Sequence, residues 1–470
     1  VTLAHSMPVK GSEFKYLRQY PTGPLFGQIT GYYSFTYGAD GVEKTYNSVL
    51  TGAKSEFKLN LNNLRSLLTN PSPAQSLTLT LTDKLQTLAQ QQLAGRTGSV
   101  VAINPRTGGI LAMYSNPSFD PSQLSQLDQT QVQAAWKSLL AAPGNPLSSG
   151  AYRNRFFPGS TFKVITASTV YDHQPSLVDK DYPVLSALSL PNTNLQLHNF
   201  ANESCGGMLV ELFTVSCDTG FAAVGLDLGA ASLSAEASSF GFDATPPIDL
   251  PDPAQSNFPA ASTFADDLPG VAYSAIGQQD VQATPLEMAM VAGAIANGGT
   301  MMVPHVLSKV TNSQGRVVSS YQPKVWMQAT SSQTAQQMTT LMESVVNSPD
   351  GTGTAAQIPG IQVAGKTGTA QTGTGLTDDW FIAFAPANNP TIAAAVLLPD
   401  QPSANDYQGG TIAAPIAKAM IQSYLTPAPN ASNGSGSTAT TTSTTAPGTG
   451  TSGTTTSPTT FPTTSIGTGG

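Results

Sequence analysis

The chain has 470 residues, 40% hydrophobic and 10% charged, with a formal net charge of -8. That balance excludes the basic surface a nucleic-acid backbone requires, and the length suffices for one large domain plus a smaller companion. No run reaches the roughly 18 apolar residues of a membrane helix, 392–398 being only strand length.

Residues 1–75 are rich in Tyr and Gly and dense in turn signals such as YGADGVEKTYN (37–47). They read as an N-terminal pedestal or interaction region ahead of a larger domain at 76–425. Because the chain opens at Val1 rather than Met, a signal or anchor segment ahead of it is expected. SLTLTLT (76–82) alternates with period two and predicts a strand. Thr82 and Asp83 suit a helix start, and Leu85, Leu88, Ala89 and Leu93 then share one helical face up to Gly95. SVVAINP (99–105) and GILAMYSNP (109–117) predict a hairpin turning at 106–108. With further strands expected near 361–371 and 380–398, the pattern is an antiparallel sheet with helices packed on it, an α+β fold. From 426 to 470, Thr, Ser, Gly, Pro and Ala dominate, with no charge and one aromatic, Phe461. Such a segment cannot bury enough apolar surface to offset its ordering entropy, so a disordered tail or spacer is expected.

Three Ser-x-x-Lys pairs occur: Ser12/Lys15 and Ser55/Lys58, both in SEFK, and Ser160/Lys163 in FFPGSTFKV (156–164). The last follows a helix-start signal. Pro158-Gly159 break the preceding chain, and the next residues continue as a helix with Phe162, Ile165 and Val170 on its buried stripe beside Thr166 and Thr169. Lys163 then lies one turn from Ser160 on the same side, and the free N–H groups of the helix start suit an oxyanion beside the serine. A lysine amine can act as base for a serine when burial or a second cation lowers its pKa. The plainer reading is a serine cap with a snorkelling lysine.

AGKTGTAQ (364–371) supplies a fixed positive charge in Lys366, hydroxyls from Thr367 and Thr369 on one strand face, and in Gly368 a missing side chain where a ligand can approach. TVSCDTGF (214–221) sets Ser216 two residues before Asp218, a pattern that recurs at Ser118, Ser348 and Ser403. For Cys205 and Cys217 a disulfide suits an oxidising compartment; two free thiols or a zinc site with His198 are the alternatives. The four histidines, His5, His173, His198 and His305, fit no metal spacing, and no cofactor is implied. GTGTAA (351–356) lacks the setting and lysine of a phosphate loop and reads as a turn before the Lys366 strand.

Order separates the three pairs. Ser160/Lys163, then Ser216 after 56 residues, then Lys366-Thr367-Gly368 after another 150, is the motif order of penicillin-recognising serine enzymes. The chain resembles the class B (monofunctional) penicillin-binding proteins of the actinobacterial elongation/division type over residues 20–425. GYYSFTYGADGVEKTYNSVLTG (31–52) is similar to the segment ahead of their transpeptidase domain, with Glu43 as its acidic hallmark. SVVAINPRTGGILAMYSNPSFDP (99–121) resembles the domain's first hairpin. GQQDVQATPLEMAMVAGAIANGG (277–299) resembles their Thr-Pro-Leu-x-Met-Ala helix, and DDWFIAFAP (378–386) the strand after Lys-Thr-Gly.

The resemblance implies a penicillin-recognising transpeptidase fold with a small N-terminal domain, membrane-anchored outside the cytoplasm. It also implies D-Ala-D-Ala transpeptidation of peptidoglycan stem peptides, acylation by β-lactams, and work beside a glycosyltransferase and other cell-wall assembly proteins. Ser160 would be the nucleophile, Lys163 its base, and Ser216 a proton relay. Lys366 would lower the other lysine's pKa and attract the substrate carboxylate. Thr367 and Thr369 would bind that carboxylate, with the N–H groups of Ser160 and Thr369 as oxyanion hole. Asp218 departs from the family's usual Asn. An ionised carboxylate only accepts hydrogen bonds, so Asp218 is expected to raise the pKa of Lys163 and slow acylation, or else to bind both lysines much as Asn would. The rival readings are a D,D-carboxypeptidase and a non-catalytic scaffold of the same fold. A β-lactamase lacks support: Glu56 to Asn60 spell E-x-x-L-N, but 104 residues ahead of Ser160 rather than after it.

Overall fold

The structure, a computed structural model, describes residues 1–10, 12, 15–52, 74–403, 408–426 and 465–468. The helix capped by Thr82 is α1 (Asp83–Leu93), with the Thr82 hydroxyl accepting from the Leu85 N–H. The predicted hairpin is β1 (Gly98–Ile103) and β2 (Ile110–Asn116). Next come α2 (Lys163–His173), α3 (Asp218–Ser239), α4 (Pro285–Ala296) and α5 (Ser332–Asn347). The chain then returns to the sheet as β3 (Ala364–Gln371), β4 (Leu376–Ala385) and β5 (Ile392–Pro402), and α6 (Ala414–Leu425) closes the domain.

These strands form one antiparallel sheet in the order β3-β4-β5-β1-β2. Strand alternation decides what each face meets. Val101, Ile103, Trp380, Ile382, Phe384, Ala393, Ala395 and Leu397 enter the core under α2 to α5. Their neighbours Val100, Ala102, Phe381, Ala383, Ala394 and Val396 enter a second core with Leu85, Ala89 and Leu93 of α1 and Ile416, Ala417 and Met420 of α6. The sheet is therefore buried on both faces, which is why its strands read as continuous apolar runs. Alanines at 393–395 let helices approach the centre.

The strand expected at the head of the larger domain belongs elsewhere. Ser76–Leu79 joins a six-stranded sheet with Thr2–Pro8, Tyr16–Gln19, Leu307–Thr311, Val317–Ser320 and Ser465–Thr468. Strands from inside 76–425 thus complete a sheet begun in residues 1–75. Ser465–Thr468 also departs from the expected disordered tail: it runs parallel to Ser76–Leu79 and antiparallel to Thr2–Pro8, completing hydrogen bonds on both edges. The rest of the tail, 427–464 and 469–470, lies outside the described residues. Among the described residues no helix is long and apolar enough to cross a membrane.

Two ion pairs tie the N-terminal region down. Glu43 is buried and accepts from Arg18 Nε at 2.5 Å. Arg153, a few residues before Ser160, grips Asp40 with two hydrogen bonds of 2.8 and 2.7 Å. Removing one partner of a buried pair leaves the other charge without compensation. Arg18→Met is therefore expected to destabilise the N-terminal region by about 3–5 kcal/mol, read as a lower denaturant midpoint, whereas a change within about 1 kcal/mol shows that Glu43 is satisfied without it.

Candidate active site

Ser160 sits in a tight 3-10 turn, Gly159–Phe162, rather than in the first turn of the expected helix, which starts at Lys163. The helix is buried on all sides from Lys163 to Val170, not along one stripe. The turn is wedged against β3. Gly159 has φ +51°, its N–H donates to Gly277 O at 2.9 Å, and a Cβ there would lie 2.9 Å from that of Ala370. From the other side, a Cβ on Gly368 would lie 2.9 Å from Pro158 O and from Thr161 Cγ2. The missing side chain at Gly368 thus admits the serine-bearing turn, where the sequence suggested a ligand. Trp380, fully buried, braces the same segment by donating from Nε1 to Phe157 O at 2.8 Å.

Five predicted side chains meet in one network. Lys163 Nζ donates to Asp218 Oδ1 at 2.6 Å and to Ser216 O at 2.8 Å. Ser160 Oγ donates to the same Asp218 oxygen at 3.4 Å. Lys366 Nζ donates to Ser216 Oγ at 2.7 Å, and Lys163 Nζ lies 3.5 Å from that hydroxyl. Ser216 holds this position at φ +60°, the left-handed region, which aims its carbonyl at Lys163 and its hydroxyl at Lys366. The structure joins Cys205 and Cys217 in a disulfide, so the residue between Ser216 and Asp218 is bonded to the strand Cys205–Gly207.

Both amines are fully buried. Burial holds Lys163 below its ordinary value, opposed by the charge and hydrogen bond of Asp218. Lys366 is pushed well below its ordinary value, first by burial and then by the charge of Lys163, with Asp218 opposing. Repulsion between the two amines is mutual, so a charge on either one disfavours a charge on the other.

Ser160, Ser216, Asp218, Thr367, Gly368 and Thr369 line one cleft of about 760 Å³. Thr367 and Thr369 share a strand face opposite to Lys366; Thr367 Oγ1 lies 2.7 Å from Thr352 Oγ1, and Thr369 Oγ1 accepts from Gly409 N–H at 3.3 Å. Thr352 belongs to the 351–356 turn, so that segment reaches the cleft although nothing in its sequence marks it. Asn199 is also unforeseen: on the rim, its side chain accepts from Thr219 N–H at 2.8 Å and donates to Leu185 O and Glu203 O. Of the decoys, Lys15 is exposed, and Ser55/Lys58 and the 56–60 string lie outside the described residues. No cluster of His, Cys, Asp or Glu among the described residues could hold a metal ion.

A Ser-x-x-Lys turn closed onto a Lys-Thr-Gly strand, at the edge of an antiparallel sheet layered between helices, defines a penicillin-recognising serine acyltransferase. Residues 98–422 match the penicillin-binding protein transpeptidase domain, and residues 1–76 match the penicillin-binding protein A dimerisation domain. The peptidoglycan D,D-transpeptidase PbpA of Mycolicibacterium smegmatis is 36% identical over 440 residues, covering 90% of this chain and 87% of that one. The Mycobacterium tuberculosis PbpA is 34% identical over 439 residues, with the same coverage. The ceftriaxone acyl-enzyme of M. tuberculosis penicillin-binding protein A superimposes with a TM-score of 0.80 at 32% identity, covering 90% of this chain and 96% of that one. The chain belongs to the penicillin-binding protein transpeptidases.

Asp218 raises Lys163, so its removal leaves the amine neutral to lower pH. In Asp218→Asn, the limb on which acylation by penicillin rises with pH is expected to move down by about one pH unit, with a several-fold gain in rate on that limb. An unmoved limb shows that this carboxylate does not govern the base.

Proposed function

We propose that the chain crosslinks peptidoglycan by serine acyl transfer, with Ser160 as nucleophile, Lys163 as its base, and Ser216 and Lys366 as the proton path to the leaving amine. The observation that carries this reading is the continuous contact from Ser160 through Asp218 and Lys163 to Ser216 and Lys366. A scaffold would have no need to bury two lysine amines around a serine pair.

In this reading a stem peptide ending in D-Ala-D-Ala lies along β3. Its terminal carboxylate takes hydrogen bonds from Thr367 and Thr369 and the positive field of Lys366. Ser160 Oγ attacks the penultimate carbonyl carbon as its proton passes to the neutral Lys163 amine, Asp218 holding hydroxyl and amine together. The N–H groups of Ser160 and Thr369 hold the oxyanion. The C–N bond breaks, Ser216 protonates the departing D-Ala nitrogen, and Lys366 restores that proton to Ser216. The amine of a neighbouring stem then attacks the ester carbonyl, passing its proton through Ser216 to Lys366; the ester C–O bond breaks, the crosslinking amide forms, and Lys163 returns its proton to Ser160 Oγ. With a β-lactam the broken C–N bond leaves the amine tethered, and the ester persists.

The disulfide supports placement outside the cytoplasm, where such bonds persist. We further place the chain on the extracytoplasmic side of the cell membrane, beside a glycan-polymerising transferase that supplies the strands to be joined.

Intact-protein mass spectrometry with penicillin G is expected to show one adduct, localised to Ser160. In Ser160→Ala, acylation is expected to fall by at least about 10³-fold. With a stem peptide and an amine acceptor, crosslinked product identifies a transpeptidase and hydrolysed product a D,D-carboxypeptidase. A wild-type chain with no adduct is a scaffold.

A further inference from the structure

Strand β4 carries Asp378-Asp379-Trp380, and the β3–β4 register sets Asp379 directly opposite Thr369. Alternation puts Asp379 on the face shared by Thr367 and Thr369, while Lys366 leaves from the other. Asp379 is fully buried beneath Thr369 and Thr377, two residues that line the cleft. Both hydroxyls face its carboxyl, yet neither carboxyl oxygen completes a hydrogen bond of ordinary geometry among the described residues. A buried acid faced by two hydroxyls and, among the described residues, by no cation thus lies directly under a threonine proposed to bind substrate.

We propose that Asp379 is a positioning residue that sets the direction of the Thr369 hydroxyl and thereby the affinity of the cleft for the substrate carboxylate. The proposal rests on the reading that Thr369 binds that carboxylate. A hydroxyl has one proton and two acceptor lone pairs. Thr369 Oγ1 already accepts from Gly409 N–H. When Asp379 is neutral, its O–H fills the second acceptor position, so the Thr369 proton points into the cleft. When Asp379 ionises it can only accept. It then draws the Thr369 proton downward, removing a donor from the cleft and adding negative charge beneath an anionic substrate.

Burial pushes Asp379 up to about 7, with Thr369 and Thr377 opposing and Asp378 adding to the rise. Because the folded value is raised, the neutral, binding-competent form persists up to neutrality and is lost above it. The charged groups around it reinforce this. Asp378 is its strand neighbour, and Asp400 on β5 donates its N–H to Asp378. On β3, Lys366 is on the far face, bound to Ser216. On α1, Lys84 donates to Ser423 O, and on α6, Lys418 lines a separate groove with Asn347 and Gln357. None of these cations acts on Asp379.

The test measures Ser160 acylation of the full chain by penicillin G and by its methyl ester from about pH 6 to 8.5, in wild type and in Asp379→Asn, whose amide donates at every pH. The lysine titrations cancel in two ratios. Wild type over Asp379→Asn, with penicillin G, is expected to fall several-fold across that range, in the binding constant rather than the maximal rate. Penicillin G over ester is expected to fall likewise in wild type alone, a readout that needs no variant to fold. Flat ratios, or an equal fall with the ester, overturn the proposal. Absence of any wild-type adduct instead overturns the function on which it rests.

Discussion

Two lysine amines with no solvent exposure share one carboxylate in this site, and the chemistry follows from that imbalance. Burying an isolated ammonium costs several kcal/mol, more than most single interactions contribute to a fold. One carboxylate can compensate one ammonium, so burial holds both amines below the ordinary lysine value. Burial and the neighbouring charge thus shift the lysines toward the neutral form that a base needs, which free lysine does not provide. Asp218 sets how the remaining proton is shared. Asn at that position would leave both amines to burial alone, so the carboxylate trades some basicity at Lys163 for a fixed link between that amine and Ser160.

Burial of that kind depends on backbone fit. The serine turn closes onto β3 only because Gly159 and Gly368 lack side chains at the contact, and Trp380 fills the space behind it. Opposite, Ser216 is held in a left-handed conformation between α3 and the segment tethered by Cys205. Neither half forms the site alone. The sheet, buried on both faces, carries β3 at its edge and fixes the distance between them.

The order of short motifs made Ser160, Lys163, Ser216, Lys366 and Thr367 legible in the sequence, as did period-two apolar runs for the central sheet. What stayed hidden depended on pairing across long separations. Ser76–Leu79 reads as a strand, but nothing local indicates that its partners are Leu307–Thr311 and Ser465–Thr468. Thr352 meets Thr367 through a turn whose composition resembles any Gly-Thr loop. The helix expected at Ser160 begins three residues later because closing the turn onto β3 overrides local propensity, and its stripe vanishes because other elements cover every side.

Alternation along β3 gives the site its division of labour. Lys366 and Gly368 face the reacting serines, and Thr367 and Thr369 face the side where a carboxylate would rest. In the proposed function, proton transfer is therefore handled on one face and anion recognition on the other, a single peptide plane apart. A charge change on the recognition face reaches the substrate without passing through the lysines. Asp379 lies on that face, fully buried, opposite Thr369 and out of contact with either amine. Its ionisation alters binding while the Lys163–Asp218 pair continues to set the rate of proton transfer, so two titrations within one cleft act on separate steps.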